Sequence, residues 1–146
     1  MVLERFVELY LCIIHYIILS LVDINPMCSD VSRLRQCIVD VLTRHYADLN
    51  DITQQALPDL TAQLFSNEMI PASVKDNPSY NHLVKSFESS MKFINSQEAM
   101  LEHCRKFFAA FYSCGGPLTL AANTVTQDIT ERVREKLGVE FIISCD

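Results

Sequence analysis

From residue 30 onward the apolar positions recur every three or four residues, the spacing of one face of an α-helix. Val31, Leu34, Ile38, Val41, Leu42 and His45 form a first stripe, which predicts a helix over Asp30–Leu49. Ser29 or Asp30 is placed to cap it, since a short oxygen-bearing side chain accepts from first-turn amides. Arg33, Arg35, Asp40 and Arg44 fall mostly off the stripe, and Asn50 with Asp51 predicts a turn. Ile52, Ala56, Leu60 and Leu64 then step by four and predict a second helix, Ile52–Met69. Pro58 interrupts it. Proline lacks an N–H and its ring clashes with the preceding turn, so the helix must bend near Gln54–Leu57 or split there with Pro58 in the first turn of the second piece. A local bend is the simpler expectation. Met69, Ile70 and Pro71 close the segment with an apolar plug and a helix-stopping ring.

Pro71–Pro78 is a connector with room for one short helical turn near Ala72–Lys75. Ser79 caps the next element, whose stripe is Tyr80, Leu83, Val84, Phe87, Met91 and Ile94. Asn95 and Ser96 interrupt it, and Ser96 caps a further helix carrying Met100, Leu101, Cys104, Phe107, Phe108 and Phe111. So short a join predicts an antiparallel pair, with Phe87, Phe107 and Phe111 supplying much of the core. Cys114-Gly115-Gly116-Pro117 is the strongest breaker in the chain. Beyond it, Ala121, Val125, Ile129, Val133 and Leu137 step by four. Thr124 with Gln127 has the spacing of a capping box, and Gly138 is a helix stop. Val139–Cys145 is a short apolar tail. The expectation is all-α: five helices and one short turn over residues 30–138, preceded by residues 1–29 and followed by residues 139–146.

Residues 1–29 are different in kind. Phe6–Val22 is an apolar run that contains Glu8 and His15. It is short for a membrane span, which needs about 20 predominantly apolar residues. Leu9–Val22 within it has the length of a signal-peptide core, but no small-residue cleavage site follows it. A membrane anchor, an uncleaved signal, an extra helix lying on the domain and a leader foreign to it all fit this stretch.

With 146 residues, one domain is the natural expectation. Only 3 Gly and 5 Pro argue against a turn-rich sandwich or barrel. The net charge of −6 disfavours nucleic acid as a partner, because phosphate binding needs clustered positive charge. None of the 6 cysteines forms a C-x-x-C pair. Cys37 and Cys104 occupy helix-periodic apolar positions, where a free thiol behaves as a small hydrophobe. This composition fits a reduced, intracellular domain rather than a disulfide scaffold.

The phrase Leu60-x-x-x-Leu64-Phe65-x-x-x-Met69-Ile70-Pro71 resembles the second helix of caspase-recruitment-type members of the death-fold superfamily. Tyr80–Ile94 and Gln97–Phe111 resemble the fourth and fifth helices of that family, and Thr119–Leu137 the sixth. The resemblance covers residues 30–137. It implies an antiparallel six-helix bundle that is a non-enzymatic adaptor, binding other death-fold domains in apoptotic or innate-immune signalling in the cytoplasm. Such domains dock through complementary charge on different faces. Asp48, Asp51, Asp59 and Glu68, in a stretch without Lys or Arg, are the acidic candidates. Arg132, Arg134 and Lys136 are the basic ones. Each set also has a local explanation, since the helix dipole favours acids near a helix start and bases near its end. The alternative is a small helical protein whose role depends on a membrane-associated Phe6–Val22.

Chemistry has few footholds. Cys114 before two glycines could be a nucleophile on a tight turn, with His45, His82 or His103 as base, in a helical enzyme or ligand-binding bundle. Catalysis needs base and nucleophile within hydrogen-bond reach and a third group to orient them, and no spacing here supplies that. His103 and Cys104 point about 100° apart on a helix, so they cannot easily share a metal. His103 is expected at the surface and Cys104 in the core. Gly115-Gly116 lacks the lysine of a phosphate loop. Phe87, Phe93, Phe107, Phe108 and Phe111 at helical spacing are expected to be core rather than a ligand pocket. No cofactor is implied.

Overall fold

The computed structural model describes residues 2–24 and 26–144, which form eight helices and no strand. They are α1 (Val2–Ile24), α2 (Pro26–Arg44), α3 (Tyr46–Thr53), α4 (Leu57–Ser66), α5 (Ala72–Asp76), α6 (Tyr80–Met91), α7 (Gln97–Cys114) and α8 (Gly116–Leu137). The fold is all-α, as the periodicity predicts, but its divisions differ in instructive ways.

The first is at His45. The predicted Asp30–Leu49 helix begins earlier, at Pro26, and breaks at His45, while Asn50 and Asp51 lie inside α3 rather than in a turn. The break is one residue wide. His45 N–H donates to the Val41 carbonyl at 3.1 Å, and Leu49 N–H donates to the His45 carbonyl at 2.9 Å. Helical bonding therefore runs through the bend, and Leu49 is turned into the core. The second is at Pro58. The chain splits instead of bending: residues 54–56 form a turn and Pro58 sits in the first turn of α4. There its missing N–H costs nothing, because first-turn amides have no intrahelical acceptor.

Leu60 and Leu64 are fully buried, and α4 ends in a Schellman motif. Met69 N–H donates to the Leu64 carbonyl at 2.9 Å and Glu68 N–H to the Phe65 carbonyl at 3.0 Å. This pair of bonds satisfies carbonyls that the helix end would otherwise leave open, and it places the motif's apolar contact between Leu64 and Met69. Glu68 takes the left-handed conformation the motif requires, with φ 60°. Met69 and Ile70 are buried as the predicted plug. The connector then holds α5, tethered by Lys75 Nζ lying 4.2 Å from the centre of the Phe65 ring.

Ser79 and Ser96 cap α6 and α7 as predicted, each hydroxyl accepting a backbone N–H, from His82 and Ala99, at 3.1 Å. Between α6 and α7, Phe87 stacks on Phe107 with ring centres 4.1 Å apart, and Phe107 in turn meets Phe108 and Phe111. His103 is not a surface residue. It is half-buried and stacks on Phe87 at 4.8 Å with the rings 5° from parallel. Of the five phenylalanines expected in the core, Phe93 alone stands exposed, at the α6–α7 turn.

The α7–α8 breaker is shorter than the sequence suggests. Gly115 alone separates the helices, at φ 70° and ψ −172°, a combination open essentially only to glycine, and Pro117 lies in the first turn of α8. Thr124 is therefore mid-helix, its hydroxyl donating to the Leu120 carbonyl at 3.1 Å, and the capping box does not form. Gly138 ends α8 in the left-handed conformation. The tail folds back: Phe141 and Ile143 are buried, and the Thr130 hydroxyl donates to the Phe141 carbonyl at 2.8 Å.

α8 packs against α2, α3 and α7, and α7 also packs against α4 and α6. Three polar contacts give the direction of α2 against α8. Arg33 reaches the Lys136 carbonyl, Asp40 pairs with Arg132, and His45 meets Asp128. Positions rise on one helix as they fall on the other, so the two are antiparallel.

α1 stands apart. From residue 3 to residue 17 its side chains are exposed, except for the half-buried Ile14. These residues do not lie on the domain. Among the described residues, no helix is long and apolar enough to cross a membrane.

Candidate interaction surfaces

The four acidic candidates do not form one patch. Asp48 and Asp51, three residues apart on α3, are exposed on one side of an open cleft of about 290 Å³ between α3 and α8. Leu49, Ile52, Ala121, Val125 and His45 also line the cleft. Asp59 lies in the first turn of α4, near Cys114, whose thiol is pushed up by burial and further by this carboxylate. Glu68 lies beyond the opposite end of α4, where its backbone role in the Schellman motif explains its position without any partner.

The basic candidates also divide. Arg132 is turned inward toward α2: its side chain is 24% exposed, one guanidinium nitrogen lies 3.5 Å from the Asp40 carboxylate, and its Nε is buried without an acceptor. Arg134 points the other way and pairs with Glu140 of the tail at 3.3 Å. Lys136 is exposed and makes no ion pair among the described residues. A 200° turn separates residues two apart on a helix, which is why Arg132 and Lys136 share the α2 side and Arg134 does not.

The local periodicity hides a fourth cation. Arg33 of α2 donates to the Lys136 carbonyl at 3.2 Å, which puts its guanidinium beside that residue. Arg33, Lys136 and Arg132 all lie close enough to Cys37 to favour its thiolate, yet burial outweighs them and the thiol is pushed up. The basic group is therefore Arg33, Arg132 and Lys136 around Asp40, not the run 132–136.

Further along the same seam, Asp128 is held between His45 Nε2 at 2.8 Å and Arg44 at 3.4 Å. Its charge is balanced in place. Past it, Asp48 and Asp51 make no ion pair among the described residues. The α2–α8 edge thus has a positive end at Arg33 and Lys136 and a negative end at Asp48 and Asp51. Twelve residues of α2 at 1.5 Å each put about 18 Å between Arg33 and His45.

No protein-family model, curated protein or solved structure matches the chain. The surfaces must be interpreted from their own chemistry. Among the described residues no group of His, Cys, Asp and Glu could hold a metal ion. Burial and the Asp59 carboxylate both disfavour the thiolate of Cys114, the opposite of what an activated nucleophile needs. Cys12, Cys37 and Cys114 are free thiols. Cys145 and the side chain of Cys28 lie outside the described residues, as does the side chain of Ser29, the alternative cap.

Proposed function

We propose that the chain is a non-enzymatic interaction module of death-fold type, assembling with similar domains in intracellular signalling of the apoptotic or innate-immune kind. Its architecture supports this reading. With α2 and α3 taken as two halves of one rod bent at His45, the units from Pro26 to Leu137 are α2–α3, α4, α5, α6, α7 and α8. The Leu60–Pro71 phrase that carries the family resemblance is built as a packed helix and plug.

The observation that carries the proposal is the polarity of the α2–α8 edge. Cations at one end and carboxylates at the other, without ion pairs among the described residues, let the positive end of one copy meet the negative end of the next. That is a heterologous contact, which generates rings or open filaments rather than closed two-fold pairs. Opposite patches also steer encounter and reject wrong orientations.

Two variants test this by sedimentation velocity. Arg33→Glu with Lys136→Glu makes both ends acidic; Asp48→Lys with Asp51→Lys makes both basic. Each alone should lose assemblies larger than a dimer while keeping its helical circular dichroism. Mixed together, they should assemble again. Assembly of either variant alone as in the parent, or no recovery on mixing, would refute the proposal.

A further inference from the structure

We infer that α1 is a self-association helix whose occupant is the α1 of a second copy of this chain. This goes beyond the charged-edge reading and does not depend on it.

The inference starts from the spacing of apolar side chains on α1, exposed but for the half-buried Ile14. Leu3, Val7, Tyr10, Ile14 and Ile17 step alternately by four and three, and the sequence continues the steps to Leu21 and Ile24. That is the a/d pattern of a coiled-coil seam, with β-branched Val7 and Ile14 at a. It runs the length of a 23-residue helix, just over three heptads. The charged residues respect the same register. Glu4 falls at e, Arg5 at f, and Glu8 and His15 at b, so none occupies a, d or the flanking g position, which holds Phe6 and Ile13. A second helix laid on this seam meets no charge at a, d or g, and Glu4 at e lies at its edge.

The area is of the right size. Leu3, Phe6, Val7, Tyr10, Ile13 and Ile17 are between 50% and 79% exposed. With roughly 150–250 Å² for each aromatic side chain and somewhat less for each aliphatic one, they present on the order of 700 Å² per chain, against ~800 Å² per partner in a standard interface.

The charge of the polar side decides between a second copy and a lipid surface. Helices that lie in a membrane interface carry Lys and Arg on their polar face, which anionic headgroups attract. Here the side away from the seam, which also exposes Leu9, Leu11 and Tyr16, bears Glu4 and Glu8 against the single Arg5, so an anionic surface repels its charge. A second copy needs no such attraction, because its contact is the apolar seam.

The test is sedimentation equilibrium of the full chain and of the Tyr10→Glu, Ile14→Glu double variant. Both residues lie on α1, away from the core, so the variant should melt at the parent temperature. In the Arg33→Glu, Lys136→Glu background, which lacks the cations of the charged edge, the chain should show twice the 16.6 kDa chain mass. Adding Tyr10→Glu and Ile14→Glu in that background should give the single-chain mass, with dimer affinity weakened by roughly a hundredfold or more. The charged-edge cations are absent from both proteins, which separates failure here from failure of that edge. Single-chain mass before the α1 substitutions, or a dimer after them, overturns the inference. So does flotation of the parent, but not the double variant, with phosphatidylcholine vesicles containing phosphatidylserine, which would make lipid the occupant.

Discussion

Glu68 holds a left-handed backbone for the sake of the turn that buries Met69, and replacing it should make the protein more stable. An L-residue other than glycine in this conformation costs about 1–2 kcal/mol. Glu68 is exposed, so its side chain gives up no packing when removed. Glycine relieves the backbone cost but is freer in the unfolded chain, which returns about 0.5–1 kcal/mol. The net gain expected for Glu68→Gly is therefore about 0.5–1 kcal/mol, a rise of about 2–5 °C in Tm for a chain of this size. Part of any gain could come from removing an acid beside a helix C-terminus, where the dipole disfavours it. Glu68→Gln isolates that term. Glu68→Val should go the other way, because a β-branched residue is a true outlier at this φ. The assay is urea unfolding followed by circular dichroism, with the four proteins compared at a common denaturant slope. A lower midpoint for the glycine variant at unchanged slope, or a valine variant as stable as the parent, would show that the backbone is not held as described.

Other expectations follow from single contacts. Gly115→Ala should destabilise by about 1–3 kcal/mol, read by thermal unfolding; a Cβ there meets nothing within 4 Å, so the cost is entirely backbone. Tyr80 is fully buried and its hydroxyl has no hydrogen-bond partner among the described residues, and Tyr80→Phe should raise stability by about 1 kcal/mol in the same urea assay; a fall would reveal a partner for the hydroxyl. Burial against Phe87 lowers the His103 pKa from its ordinary 6.5. The folded state then disfavours the proton, so the stability His103 contributes is whole above pH 6.5 and declines as pH falls through that value toward the folded pKa. Unfolding midpoints between pH 7.5 and 5 should show this slope, and His103→Gln should flatten it.

The apolar periodicity located most of the core. Every aliphatic position of the first stripe, from Val31 to Leu42, is buried, as are Leu60, Leu64 and the phenylalanines of α7. Local patterns misjudged the joints. Asn50 and Asp51 have turn composition, but Leu49 and Thr53 on either side of them are drawn into the core, and tertiary burial overrides the weak preference of two polar residues. Thr124 and Gln127 have the spacing of a cap, but the helix had already begun at Gly116, where the prolyl ring fits. The charge pattern was the least legible. Arg33 meets Lys136, and His45 meets Asp128, across separations of 103 and 83 residues. No window along the chain brings such residues together, so a compact run such as 132–136 looked like one patch when its members face apart.

The antiparallel pairing of α2 with α8 has a consequence for synthesis. The ribosome releases α2 ahead of α3 to α7, yet α8, the helix that covers its greasy side, emerges only after them, with Phe141 later still. Until then the nascent chain carries an uncovered stripe from Val31 to Leu42, together with the bare seam of α1. That interval is when the stripe is open to a chaperone.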